Sequence, residues 1–321
     1  MSFGVLIVGL GQIGMGYDLH LDSTAYVYSH ARAFSQHPSF HLIGGVDSEP
    51  SRRQTFEQKY QCPAYADVGA ALRHNQPDLV IIAVPTQFHS QTLQCVLERS
   101  LPKAVLCEKP LAYNLEEARA MVQCCTAKGI KLFVNYMRRS DPGVIEIRRR
   151  LDSGEIDAPV KGVVWYSKGF LHNGSHFFNL LEYWLGAMVS AEVLDPGRLW
   201  DGNDPEPDVR VSFERGTVVF LAAWEEAFSH YTIELISPDG RLRYEKGGNQ
   251  IGWQPARPDP NFKDYTALVP NIEAIESGME RYQWHVAEQL GAAFKDRAYH
   301  LCTGAEGLLT LKNMQTILEK L

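Results

Sequence analysis

Val5-Leu6-Ile7-Val8-Gly9-Leu10-Gly11-Gln12-Ile13-Gly14 is the stretch on which the fold turns. Four apolar residues without alternation suit a strand buried on both faces of a parallel sheet. The glycines that follow have dinucleotide spacing. Gly9 makes the tight turn, Gly11 lets a pyrophosphate approach, and Gly14 lets the helix pack on the strand. Gln12 and Ile13 complete the loop that would hold the cofactor. Alone the pattern is weak, and its surroundings give it weight. A second strand, over residues 40–46, ends at Asp47, where a carboxylate can accept both ribose hydroxyls and would repel a 2′-phosphate. NAD is therefore the expected cofactor, with Arg52 and Arg53 leaving NADP possible.

One spacing departs from the pattern. The acidic residue usually follows the glycines by about 20 positions, and the step from Gly14 to Asp47 is longer. The excess lies in residues 17–28, a poor helix, which read as an inserted loop near the phosphates or the mouth of the site. The helix is expected to resume at His30-Ala31-Arg32-Ala33-Phe34. A purely structural loop and a substrate-facing one both fit.

Outward from this start, strand-like and helix-like segments alternate. Helices are expected over 49–60, 68–74, 87–99 and 115–128, and strands over 64–65, 80–84, 104–107 and 131–134. That alternation is the doubly wound α/β pattern. Residues 1–124 are assigned to a dinucleotide-binding Rossmann domain. Residues 125–321 are assigned to an α+β domain for substrate binding and oligomerisation. After a helix at 144–151 come longer, antiparallel-looking strands at 160–167, 209–213, 217–223, 231–236 and 241–244. Their sheet would have one open face, and such faces often become subunit interfaces; Trp224, Phe228 and Tyr231 would suit one. Residues 249–265 read as a long loop, and helices at 272–294 and 303–321 close the chain.

In a doubly wound sheet, ligands sit beyond the carboxyl ends of the strands. Two further clusters belong there: Pro85-Thr86 with His89, and Glu108-Lys109-Pro110. Lys109 is the candidate proton-transfer group. Oxidising an alcohol by hydride transfer requires removal of the hydroxyl proton, and a general base works best with a pKa near 7. Partial burial and an oxidised nicotinamide would both disfavour a protonated lysine. Glu108 would anchor the loop. An ordinary surface lysine in a strand-to-loop turn is the plain alternative.

The second constellation is His172-Asn173-Gly174-Ser175-His176-Phe177-Phe178-Asn179. Ser175 is expected to cap a helix running to Leu185, with Gly186 as its stop. Phe177, Leu180, Leu181, Trp184 and Leu185 would form its apolar stripe. His176, Asn179 and Tyr183 would share a polar side. A histidine in the first turn is held neutral by the helix dipole and can accept a proton; a structural cap is the alternative. His172 and His176 lack a third ligand at metal-site spacing, so no metal is expected.

Bulk properties exclude other classes. With 321 residues, 45% hydrophobic and 21% charged, the chain is ordinary for a globular protein of two domains. Its net charge of −7 argues against nucleic acid as a partner. No apolar run reaches the roughly 18 residues of a membrane span, and with no basic n-region or small-residue cleavage site before the first strand, no signal peptide is expected. Six cysteines without framework spacing suit a reduced, cytoplasmic enzyme.

Taken together, these residues resemble the glucose–fructose oxidoreductase / inositol dehydrogenase (Gfo/Idh/MocA) family. The resemblance runs through Gly9–Gly14, Asp47, Val84-Pro85-Thr86 with His89, Glu108-Lys109-Pro110, Asn135 with Arg138, and the His176 helix. It implies a Rossmann domain followed by an α+β domain with a predominantly antiparallel sheet, and homodimers or homotetramers. Lys109 would match the family's lysine near the nicotinamide, and His176 its catalytic histidine. Asn135, Arg138, His172, Asn179 and Tyr183 would meet substrate. His172 and Asn179 stand where many members carry aspartates, which points away from inositol-type polyols. The expected activity is NAD(P)-dependent hydride transfer to or from a sugar-like secondary alcohol or ketone. Glycoside cleavage by an internal redox cycle, imine reduction and non-catalytic NAD sensing are the alternatives.

Overall fold

In the computed structural model, which describes residues 2–321, the opening apolar run is strand β1 (Phe3–Val8), buried from Gly4 onward. It is followed by α1 (His30–Gln36), β2 (Phe40–Val46), α2 (Pro50–Tyr60), β3 (Ala64–Tyr65), α3 (Val68–His74) and β4 (Leu79–Ile82). Next come α4 (His89–Arg99), β5 (Ala104–Cys107), α5 (Leu115–Ala127) and β6 (Lys131–Val134). These strands are parallel and lie in the order β3-β2-β1-β4-β5-β6, the dinucleotide-binding arrangement. Val5, Leu6 and Ile7 are wholly buried, as are the four residues of β4 and the four of β5. Helices on both faces explain why these runs show no alternation.

The chain continues through α6 (Pro142–Ser153), β7 (Val160–Tyr166), α7 (Ser175–Leu185), β8 (Met188–Asp195), β9 (Leu199–Trp200) and β10 (Asp204–Pro205). Then follow β11 (Asp208–Phe213), β12 (Gly216–Ala222), β13 (Thr232–Ser237), β14 (Gly240–Glu245), β15 (Gln250–Pro258), β16 (Thr266–Leu268) and β17 (Glu273–Ile275). The last elements are α8 (Tyr282–Ala293), β18 (Cys302–Thr303) and α9 (Gly304–Leu318).

Two units result. The first runs to Ser140 and takes back Glu280–Leu309; the second is Asp141–Met279 with Thr310–Leu321. The division expected at 124/125 is thus corrected. β6 is hydrogen-bonded to β5, and β18 extends the same sheet antiparallel to β6. Val286, Ala287 and Leu290 of α8 join the core of the first unit.

The second unit is built on a sheet ordered β16-β15-β14-β13-β7-β12-β11-β8, with β17 also on β15. Its ladders are antiparallel except one: β7 and β12 run parallel. Phe177, Phe178, Leu180, Leu181 and Trp184 of α7 are at most 1% exposed, so the apolar stripe is core as expected. The opposite face leaves Trp165 40% and Ile236 45% exposed. Tyr231, expected on that open face, instead stacks on Phe177 at 5.3 Å.

Two further expectations are overturned. Residues 250–258 are strand rather than loop, and Trp253 is buried in the core. The helix expected from 272 begins only at Tyr282. Before it, the Asp141 carboxylate ties down Gly278 N at 2.7 Å and the Ser277 hydroxyl at 3.3 Å, which interrupts any helix there.

Candidate functional site

The three glycines of the loop are required for different reasons. Gly9 has φ +103°, and a Cβ there would lie 2.5 Å from the Ala83 backbone. A Cβ at Gly14 would lie 2.0 Å from the Gly9 carbonyl oxygen. Both are excluded by the protein itself. At Gly11 a Cβ would meet only Arg52 Nη1, at 3.9 Å. The open space over Gly11 is where a pyrophosphate would approach, so the loop fits a dinucleotide.

Asp47 ends β2 and is 8% exposed. Its carboxylate accepts from Leu10 N at 2.8 Å and Glu49 N at 2.9 Å, which joins the glycine loop to the next strand. Arg52 Nη1 stands 3.4 Å away. Arg53 donates to the carbonyls of Asp47 and Ser48 and so braces the turn.

The long step from Gly14 to Asp47 has a physical explanation. Met15 N bonds Gly11 O as the first rung of a helix. The ladder then jumps: His30 N bonds Ile13 O, and Ala31 N bonds Gly14 O. His30 stands where residue 17 would stand in an unbroken helix, so thirteen residues, 17–29, are looped out. Without them the 33-residue step to Asp47 becomes 20, the usual interval. The insertion is tied from within. Asp18, fully buried, accepts from Tyr28 N (2.7 Å), Ser29 N (2.8 Å) and Ser29 Oγ (2.6 Å) and pairs with buried Arg32 at 3.5 Å. Arg32 also donates to the carbonyls of Asp18, Leu21 and Tyr26.

Glu108 lies at the end of β5 with its side chain 14% exposed. One carboxylate oxygen takes both His30 Nε2 at 2.8 Å and Asn135 Nδ2 at 2.7 Å. Burial pushes the Glu108 pKa up. The bonds from His30 and Asn135 and the charge of Lys109 outweigh it, holding the carboxyl below its ordinary range. Three chain segments are thereby fastened beside half-buried Lys109. Sequence reasoning missed His30, whose partner lies 78 residues away; its place directly after the insertion was the only signal. Asn135, 3% exposed and bound to Glu108, is part of this anchor. Arg138 is 8% exposed, in the turn Met137–Ser140.

His89 opens α4. It is fully buried, with Nδ1 3.1 Å from Leu111 O and Nε2 2.9 Å from Val84 O. Burial lowers its pKa against the pull of both carbonyls. It staples the ends of two strands together. Pro85 and Thr86 remain on the turn between them, Pro85 exposed and Thr86 half-buried.

In the second unit, residues Gly169–Gly174 form a π-helical turn that runs straight into α7. Ser175 therefore lies inside the helical run and does not cap it; its hydroxyl donates to His172 O. The helix dipole argument for His176 weakens accordingly, because the first turn is not a free end. The turn is held by carboxylates the sequence did not reveal. Asp204 accepts from Leu171 N at 2.9 Å and His172 N at 2.7 Å. Glu206, fully buried, accepts from Gly169 N and from Arg198. Burial raises the Asp204 pKa despite its backbone donors. Trp200 stacks on exposed His172 at 5.1 Å. His176 is half-buried.

Asn179 and Tyr183 both make packing contacts within the second unit. Asn179, 2% exposed, donates to Thr310 Oγ1 at 3.0 Å. Tyr183 is 8% exposed under the Arg148 guanidinium, and its carbonyl accepts from Arg148. All six cysteines are free. Among the described residues no group of three or more metal-binding side chains occurs, and no helix is long and apolar enough to cross a membrane.

The fold and loop define a dinucleotide-binding protein with a second, sheet-based unit. Residues 3–136 match the model of an "oxidoreductase family, NAD-binding Rossmann fold" (GFO_IDH_MocA). Over that stretch, which is less than half of the chain, the sequence is similar to the Gfo/Idh/MocA family. It is 32% identical over 141 residues to scyllo-inositol 2-dehydrogenase (NAD(+)) of Bacillus subtilis, covering 38% of this chain and 39% of that protein. It is 30% identical over 207 residues to an inositol 2-dehydrogenase of Rubrobacter xylanophilus, covering 64% and 56%. The matched stretch thus spans only about two-fifths to just over half of these relatives' length. Among solved structures, the WlbA dehydrogenase of Bordetella pertussis, in complex with NADH and UDP-GlcNAcA, superposes with TM-score 0.76 at 17% identity, covering 99% and 97%. An oxidoreductase of Desulfitobacterium hafniense superposes with TM-score 0.80 at 15% identity, covering 100% and 96%. At these identities the likeness is one of fold.

Proposed function

We propose that this protein is an NAD-dependent dehydrogenase or reductase acting on a secondary alcohol or ketone of a sugar-like molecule: a sugar, sugar nucleotide or cyclitol. The observation that carries the reading is the Glu108 anchor, which binds His30 and Asn135 through one oxygen and so fixes the turn bearing Lys109. A lysine at the carboxyl end of a Rossmann strand, on a turn braced from three segments, suits proton transfer better than solvation. The names of the inositol dehydrogenase relatives support the substrate class.

Gly9, Gly11, Gln12, Ile13 and Gly14, with Asp47, would hold the dinucleotide, which supplies a hydride acceptor or donor when bound. Asp47 favours NAD, and Arg52 beside it would suit a 2′-phosphate. Lys109 takes the hydroxyl proton as the alcohol is oxidised and returns it in reduction. His176 is the second proton-transfer group, and the turn before it presents His172 to substrate. Trp165 and Ile236 on the open sheet face suit a homodimer or homotetramer contact, and six free thiols suit the reducing cytoplasm.

The test is NADH formation from NAD⁺ with myo-inositol, scyllo-inositol and UDP-GlcNAcA in turn, NADP⁺ run in parallel. Lys109→Ala should lower kcat by about 10²–10⁴, the range for a lost general acid or base, with NADH affinity nearly unchanged. Turnover close to the parent's in that variant removes Lys109 from the chemistry.

A further inference from the structure

The insertion at residues 17–29 is unnecessary to the helix it interrupts, because the ladder closes across its base. It is nevertheless built at a cost. A buried carboxylate and a buried guanidinium are taken from water and then satisfied by five backbone groups and one hydroxyl. A passive connection needs no such interior. The segment is also fastened outside itself: Val27 N bonds Glu280 O at 3.0 Å, and Gln283 N bonds Val27 O at 3.2 Å. Tyr28 stacks on Tyr282 with ring centroids 5.1 Å apart and planes at 22°.

Its side of the sheet is fixed by topology. A dinucleotide straddles the point where the strand order reverses, between β1 and β4. Asp47, on β2, marks the adenosine side; Glu108, on β5, lies on the other. The first residue after the insertion, His30, reaches Glu108. Tyr282 lies within electrostatic reach of Tyr17, Glu108 and Asp18, which together with the larger effect of burial raises its hydroxyl pKa. Tyr17 is 55% exposed. Tyrosine rings pair an apolar face with a polar tip, a combination suited to the C–H face and hydroxyls of a saturated ring.

We propose that residues 17–29, with Tyr282, form an aromatic wall at the nicotinamide end of the cofactor groove that selects a ring-shaped polyhydroxy substrate. The assignment rests on the dehydrogenase reading and adds to it the part of the chain that recognises substrate.

The test compares the parent protein with Tyr17→Ala, Tyr282→Ala and a spliced chain joining Gly16 to His30 with Arg32→Leu. ADP-ribose, which lacks nicotinamide, should bind all of them alike. Acrylamide should quench bound NADH more readily in the variants, most of all in the spliced chain. The KM for whichever of myo-inositol, scyllo-inositol or UDP-GlcNAcA the parent oxidises should rise about 3- to 10-fold in each tyrosine variant. Equal quenching in the parent and both tyrosine variants overturns the proposal. So does parallel loss of ADP-ribose and NADH affinity, which would make the insertion a brace for the glycine turn. If the spliced chain fails to fold, the two tyrosine variants decide. If the parent binds NADH and oxidises none of the three, the dehydrogenase reading fails, and the quenching comparison still decides where the wall stands.

Discussion

Glu108 and Asp204 perform the same task with different means. Each is a carboxylate fastening a segment that bears a candidate proton-transfer residue: the Lys109 turn in one unit, the turn before His176 in the other. Glu108 is held by two side chains and faces a lysine, and its carboxyl is held below the ordinary range. Asp204 is held by backbone N–H groups next to a second carboxylate, Glu206, and burial drives its pKa up. Hydrogen-bond number does not separate them. The balance against burial does. At Glu108 the bonds from His30 and Asn135, with the charges of His30 and Lys109, outweigh it. At Asp204 the backbone donors do not, and Glu206 adds a little to the rise.

The sharpest way to break this comparison is a matched pair of neutral substitutions. Glu108→Gln should cost about 2 kcal/mol, since two bonds to a charged acceptor become weaker neutral ones. It should also lower kcat by displacing Lys109. Asp204→Asn should change stability by less than about 1 kcal/mol, because losing a disfavoured charge offsets the weaker bonds. Urea unfolding of both variants measures this, and equal costs would erase the distinction.

A smaller effect sharpens it. Glu108's folded pKa lies below the ordinary 4.5, so its stabilising contribution is complete above that pH and is lost as pH falls through the folded value. Asp204's folded pKa lies above 3.8, so its ionisation penalty is present at neutral pH and is relieved on acidification. The stability difference between the parent and Glu108→Gln should therefore shrink toward acid pH. The difference for Asp204→Asn should move the opposite way. Slopes of one sign in both would refute the assignment.

A further modest effect concerns the stacking of Trp200 on His172. Trp200→Ala should cost about 0.5–1.5 kcal/mol in thermal unfolding. If His172 meets substrate, KM should rise more than kcat falls.

Much of the first unit was legible because its signals are local. β5, β3, β6 and α3 fall on the expected residues, since buried apolar runs and flanking turn residues define them without outside help. What was not legible depends on distant partners. His30 and Asn135 reach Glu108 from 78 and 27 residues away, and nothing in their neighbourhoods announces it. For Asn179 and Tyr183 the sequence itself shows only a shared helix side with His176. The helix carrying Thr310 follows 131 residues later and takes Asn179 for packing. β15 was hidden by Gly252, Pro255 and Pro258, which read as loop residues and are accommodated in a strand.

The closed rung between Gly14 and Ala31 makes the segment it brackets a replaceable cassette. With its ends pinned in the helix, doubling the cassette's length would cost only about 0.6 kcal/mol of closure entropy. An engineer could exchange residues 17–29 for shorter or longer pieces, replacing Arg32 with them, and leave the glycine loop's register with Asp47 untouched. Substrate range could then be rewritten without disturbing the grip on the cofactor.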